Sequence, residues 1–104
     1  MSATRSPIWH PFTQHALHGA MTKIVRGEGA YLFTEDGRRI IDAISSWWVV
    51  THGHCHPAIV AAIQQQAPLL NQIIFAGYTH EPAEQVAQLL LKLTPPGLDH
   101  MFFS

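Results

Sequence analysis

The chain has 104 residues, of which 47% are hydrophobic and 12% charged, with a formal net charge of −1. With no run of Lys or Arg it is not built for nucleic acid or an anionic membrane surface, and no apolar run approaches the ~20 residues that span a bilayer. The charged fraction is about half the usual ~25% of soluble domains, so much of this surface is expected to be covered by something else.

The length is that of one small domain. Cys55 is the only cysteine, so no internal disulfide forms, which is compatible with a reducing compartment. Met1 to Arg5 are not followed by an apolar stretch of about 7–15 residues, so no signal peptide is expected and a cytoplasmic location is the default.

Residues 1–22 hold Pro7, Pro11, Trp9, His10, His15 and His18 without clean periodicity. They read as an ordered arm with one short helical turn. Tyr31, Leu32 and Phe33 are strand formers, Glu35-Asp36-Gly37 is a turn signal, and Ile40-Ile41 begins a second strand, which together predict a hairpin. Ser45 to Thr51 reads as an apolar loop or strand. His52 to Pro57 is irregular, and Pro57 suits the first turn of a helix because its missing N–H costs nothing there. Ile59, Ala62, Ile63 and Ala67 at helical spacing predict a helix over Ala58 to Ala67, ended by Pro68. Asn71 to Tyr78 reads as strand or loop. Thr79 or His80 caps a second helix running through Leu93, with Val86, Leu89, Leu90 and Leu93 as its apolar stripe. After Pro95-Pro96-Gly97, the run Met101-Phe102-Phe103 reads as the start of a buried strand, as if a larger α/β domain began there. No internal repeat, low-complexity tract or flexible linker is present.

Three sets of residues bear on chemistry. His52, His54 and His56, with Cys55 between them, offer zinc ligand types if the segment is extended. Gly53 and Pro57 disfavour a regular strand and no second ligand cluster exists, so no metal site is expected. Trp47 and Trp48 would point to opposite faces of an extended segment, leaving one ring to fill a core and the other to wall a pocket; a purely structural role for both is equally compatible with the spacing. Trp9-His10-Pro11-Phe12 is a similar aromatic pair within the arm. Lys23 and Lys92 are the only lysines, and neither sits in the desolvated, positioned setting that a Schiff-base lysine needs. There is no phosphate-cradling glycine loop and no G-x-S-x-G. On residues alone the reading stops at an incomplete mixed α/β chain.

Several strings resemble a known family. Ile8-Trp9-His10-Pro11-Phe12-Thr13, Asp36-Gly37-Arg38-Arg39 with Asp42, Ser45-Ser46-Trp47-Trp48, His52 to Pro57, and Phe75-Ala76-Gly77-Tyr78-Thr79-His80 are similar to segments of the class III pyridoxal-phosphate-dependent aminotransferases. The D-G, H-P and T-H pieces recur across the class. W-H-P-F-T with S-S-W-W points to its branch that moves an amino group from S-adenosylmethionine to 8-amino-7-oxononanoate in biotin synthesis.

The resemblance implies an α/β fold, the amino-terminal part of a fold-type-I transferase in which a small-domain hairpin and helices lead into the large domain. It divides the chain into an arm (1–22), a small-domain hairpin with active-site loop (23–55), and helices with a first strand leading into a pyridoxal-phosphate domain that the chain lacks (56–104). It implies a homodimer with pyridoxal 5′-phosphate as electron sink. Trp47 takes the place of a substrate-binding tryptophan whose apolar face suits the oxononanoate chain. Phe12 takes the place of a tyrosine that contacts the oxononanoate and stacks on the donor's adenine. It keeps the stacking face but loses a hydroxyl hydrogen bond worth ~0.5–1.5 kcal/mol, so the donor is left open between S-adenosylmethionine and lysine. No catalytic residue, cofactor ligand or metal ligand of the family falls on this chain: the Ser-Gly-Ser phosphate stretch and the Schiff-base lysine would lie past Ser104. The chain alone is therefore expected to be inactive. Another class III ω-aminotransferase and a non-catalytic interaction module are the two other readings.

Overall fold

The computed structural model describes residues 6–17 and 19–104, and these divide into two compact units, Met1–Ala61 and Ala62–Ser104. Residues 1–5 and His18 of the expected arm lie outside the described residues. The first unit is organised by a three-stranded antiparallel sheet in the order β1-β2-β3, with β1 at Ile24–Glu28, β2 at Tyr31–Thr34 and β3 at Arg39–Ile41. β-branched and aromatic side chains favour the pleated conformation in all three.

The expected hairpin is β2 and β3, paired Tyr31↔Ile41, Leu32↔Ile40 and Phe33↔Arg39. Thr34, the one buried residue among those described, organises its turn. The Thr34 N–H donates to Arg38 O at 3.0 Å, the Gly37 N–H donates to Thr34 O at 3.1 Å, and the Thr34 hydroxyl accepts from Arg38 N–H at 2.8 Å. The same hydroxyl donates to the Asp36 carboxylate, which also receives Arg38 Nε at 2.9 Å. These contacts, Thr34 first, hold the Asp36 carboxyl below its ordinary value.

β1 was not expected. Arg26, Gly27 and Glu28 dilute its apolar signal, so pairing with β2 defines it: Ile24↔Thr34, Arg26↔Phe33, Gly27↔Leu32 and Glu28↔Tyr31, with the register shifting between Ile24 and Arg26. The Arg26 guanidinium lies 3.7 Å from the centroid of its cross-strand partner Phe33, a cation–π contact that turns a charged residue into a strand-pairing one.

The arm's first half is a knot of local bonds. The Thr13 hydroxyl donates to His10 O at 2.6 Å and Trp9 Nε1 donates to Thr13 O at 3.4 Å, and a turn after them closes through Leu17 N–H to Gln14 O at 2.9 Å. Helix α2, Pro57–Gln66, has Pro57 as its first residue, as expected.

In the second unit, α3 runs over Glu81–Leu91. His80 caps it, Nδ1 accepting from Ala83 N–H at 3.4 Å, with Pro82 in the first turn and the acidic Glu81 and Glu84 suiting the positive end of the helix dipole. It ends two residues short of the expected Leu93. Asn71 to Tyr78 is loop, and the strand expected over Met101 to Phe103 is not formed: the segment has no regular secondary structure, with the Phe103 ring 5.4 Å from Phe75. A strand needs a paired neighbour for its backbone groups, and none lies beside it. Among the described residues no hydrophobic side chain is fully buried, and the stripe of Val86, Leu89, Leu90 and Leu93 is open to solvent.

Candidate functional site

Between β3 and α2 the chain makes an unusual element. α1, Ser45–Trp48, is a helical turn of the left-handed kind: φ is 48° at Ser45, 47° at Ser46, 64° at Trp47 and 66° at Trp48, with ψ 51° at both Ser46 and Trp47. The expectation of a loop or strand here, with its indoles on opposite faces, is therefore corrected. The backbone bonds are those of an α-turn, Trp48 N–H to Ile44 O at 2.9 Å and Val49 N–H to Ser45 O at 3.0 Å. Each residue bearing a Cβ loses roughly 1–2 kcal/mol in this conformation, and nothing in Ser-Ser-Trp-Trp offsets that locally. Such a turn persists only where its surroundings over-determine it, and backbone strain of this sort concentrates at functional sites.

Asp42 is the chief constraint. Its Oδ1 accepts the Ser46 N–H at 3.0 Å, and its Oδ2 accepts the Ser46 hydroxyl at 2.7 Å and His54 Nε2 at 2.8 Å. The Ser46 backbone N–H, then the Ser46 hydroxyl and the His54 ring, hold the Asp42 carboxyl down to about 2 from its ordinary 3.8. The ionised carboxylate only accepts, so His54 Nε2 carries the proton and donates. The Asp42 side chain is 6% exposed and that of His54 16%, so water competes poorly for these bonds.

His54 is itself fastened to the sheet. It exchanges both backbone bonds with Gly29, at 2.8 and 3.1 Å, and its ring covers Gly27 so closely that a Cβ there would meet His54 Cβ and Cγ at 2.9 Å. The three histidines therefore do not share a face. His52 Nδ1 meets the Thr51 hydroxyl at 2.9 Å, and His56 Nδ1 accepts from Ala58 N–H at 3.3 Å at the start of α2. Among the described residues no group of three or more His, Cys, Asp and Glu side chains is placed to hold a metal ion.

The two residues singled out from sequence meet. The Phe12 and Trp47 rings stand edge to face with centroids 5.8 Å apart at 65°, a favoured aromatic arrangement. Phe12 follows Pro11 with φ 57°, so both partners are presented from left-handed backbone. Trp47 is 53% exposed, Trp48 82% and Phe12 95%, leaving an open aromatic surface beside α1. Trp48 has no described ring partner. Sequence reading missed the Asp42–His54 pair. Both residues lay within quoted strings, but the strings gave no reason to join two side chains twelve positions apart.

The profile of the class-III aminotransferase family matches residues 13–104, and the chain belongs to that family. It is 52% identical, over 93% of its length, to the adenosylmethionine-8-amino-7-oxononanoate aminotransferase of Synechococcus elongatus. Among solved structures it is similar to the enzyme of the same name from Methanocaldococcus jannaschii, at 35% identity and a TM-score of 0.78 over 86% of the chain. It is also similar to an amine transaminase from an uncultivated Pseudomonas species in its pyridoxal-phosphate-bound form, at 30% identity and a TM-score of 0.75 over 85% of the chain. These alignments cover 23%, 21% and 20% of the respective relatives, so the chain spans about a fifth of their length.

The residues described do not assemble a seat for pyridoxal phosphate. Lys23 Nζ is tied to Glu35 Oε1 at 2.6 Å with both side chains open to solvent, and Lys92 is exposed at the end of α3. A Schiff-base lysine needs a desolvated site. No helix among the described residues is long and apolar enough to cross a membrane.

Proposed function

We propose that this chain forms the substrate-entry wall of a pyridoxal-phosphate-dependent aminotransferase that carries an amino group from S-adenosylmethionine to 8-amino-7-oxononanoate, giving 7,8-diaminononanoate for biotin synthesis. The enzyme works in the cytoplasm as a homodimer. The cofactor supplies the electron sink and is held outside the residues described. Residues 1–22 act as an arm over the site, 23–55 as the small-domain sheet with the active-site loop, and 56–104 as the passage into the cofactor domain.

The observation that carries this reading is the edge-to-face contact of Phe12 with Trp47. It sets the edge of one large apolar ring against the face of the other, with room left on Trp47 for an alkyl chain. Binding there excludes water along the chain and orients the keto end of the acceptor without touching the reacting atoms. Phe12 also favours a second reading in which lysine is the donor, because phenylalanine lacks the hydroxyl that a tyrosine would offer the adenosyl group.

The test is kinetic. Trp47→Ala raises KM for 8-amino-7-oxononanoate and lowers kcat/KM, with the cofactor spectrum and Tm little changed. The loss of one aromatic face amounts to ~3 kcal/mol at most, by analogy with aromatic truncation in cores. Trp48→Ala changes KM far less. An unchanged KM in Trp47→Ala is incompatible with the substrate wall. Phe12→Tyr improves turnover with S-adenosylmethionine if that is the donor, and leaves it unaltered if lysine is.

A further inference from the structure

Four successive residues with side chains occupy left-handed backbone in α1, yet none of them is glycine or asparagine. The conformation is imposed from outside, and the described contacts show by what. Asp42 closes a ring on the turn through both the N–H and the hydroxyl of Ser46. Asp42 is in turn fixed at two points, its backbone N–H donating to Ala30 O at 2.9 Å and its Oδ2 receiving His54. His54 is locked to Gly29 by a pair of backbone bonds and to Gly27 by ring contact. The sheet thus reaches the turn through two side chains. Ser46 is the residue before Trp47, so whatever sets Ser46 in left-handed backbone sets the direction of the Trp47 ring.

We infer that Asp42 and His54 are positioning residues for substrate: together they hold α1 left-handed and so aim the Trp47 ring at Phe12 and at the alkyl part of the acceptor. This rests on the substrate-wall reading of Trp47 given above. Neither residue touches substrate. Without Asp42 the Ser46 N–H and hydroxyl lose their acceptor, the strain in α1 is unopposed, and the turn relaxes toward right-handed or extended backbone. Trp47 then swings off the wall while the sheet, built from other bonds, stays in place.

The experiment uses the holoenzyme that contains this chain, labelled with 5-fluorotryptophan and with the Trp47 resonance assigned through Trp47→Phe. Asp42→Ala shifts the Trp47 fluorine resonance, leaves that of Trp9 in place, and raises KM for 8-amino-7-oxononanoate roughly tenfold, with kcat within about twofold. Asp42→Asn restores both, because an amide oxygen still accepts the Ser46 N–H while the amide NH2 donates to the Ser46 hydroxyl oxygen and, once the His54 proton has moved to Nδ1, to His54 Nε2. His54→Ala moves both readouts in the direction of Asp42→Ala. If Asp42→Ala does not fold, His54→Ala against Asp42→Asn carries the comparison. A drop in Tm with the Trp47 resonance and KM unmoved overturns the inference, since a merely structural pair would behave so. A shifted Trp47 resonance in the Asp42 and His54 variants, with KM unchanged in them and in Trp47→Ala alike, overturns the substrate wall and upholds the anchoring.

Discussion

Asp42 shows how one acid can govern a segment through acceptors alone. Its three hydrogen bonds come from Ser46 N–H, Ser46 hydroxyl and His54 Nε2, and all three favour the ionised form. The carboxyl is held at about 2 against an ordinary 3.8, so the group binds its proton more weakly in the folded chain than in the unfolded one. The stabilisation it gives is complete above about pH 4, because both states are then ionised and only the folded one gains the bonds. It is lost as the pH falls through 2. The Trp47 fluorine resonance should stay constant from neutral pH to about pH 4 and change on further acidification toward pH 2. In Asp42→Asn the step tied to this carboxyl should be absent. Asp36, lowered by Thr34 and Arg38, adds stability of the same sign in the hairpin turn, where it does not reach Trp47. Trp47 and Phe12 were legible from the sequence as aromatic strings resembling a family site. Their edge contact was not, because 35 positions separate them and no periodic rule joins them.

The loop from His52 to His56 is a strap across the end of β1. Gly53 has φ +81°, and a Cβ there would sit 3.1 Å from Gly29 Cα and 3.3 Å from its carbonyl atoms. Backbone against backbone has no room to yield. Gly53→Ala should therefore cost the ~1–2 kcal/mol of a left-handed Cβ and a further penalty for displacing Gly29. Gly77 is the control, with φ +87° but open space where its Cβ would go, so Gly77→Ala should cost the conformational part alone. Urea midpoints of the two variants against the parent measure the difference; equal shifts would mean that the strap has slack. The β2–β3 hairpin and α3 were readable because their signals are local: a Glu-Asp-Gly turn between strand formers, a capping residue before an i, i+3, i+4, i+7 stripe. β1 and α1 were not, since β1 exists by pairing with β2 and α1 by the reach of Asp42.

At the scale of the whole chain the dominant fact is unfinished burial. No hydrophobic residue among those described is fully buried, and Trp48, Leu93 and Phe102 are 82%, 83% and 91% exposed. With 12% charged residues there is little repulsion to keep such surfaces apart. The 104-residue chain purified by itself should self-associate at micromolar concentration and unfold without a sharp transition. Sedimentation velocity and thermal scans check this, and a monodisperse monomer with cooperative unfolding would contradict it. The relatives it matches are about four times as long as this chain.

By itself the sequence determined the elements whose causes are nearest neighbours: the turn at Gly37, the cap at His80, the start of α2 at Pro57, and the strings that place the chain among class-III aminotransferases. Tertiary structure alone decided the handedness of Ser45–Trp48 and the meeting of Phe12 with Trp47. A right-handed turn is the cheaper choice for any four residues bearing a Cβ. What reverses it is a carboxylate and an imidazole brought from other elements, and that preference is written in no stretch of the sequence short enough to be read by period or propensity.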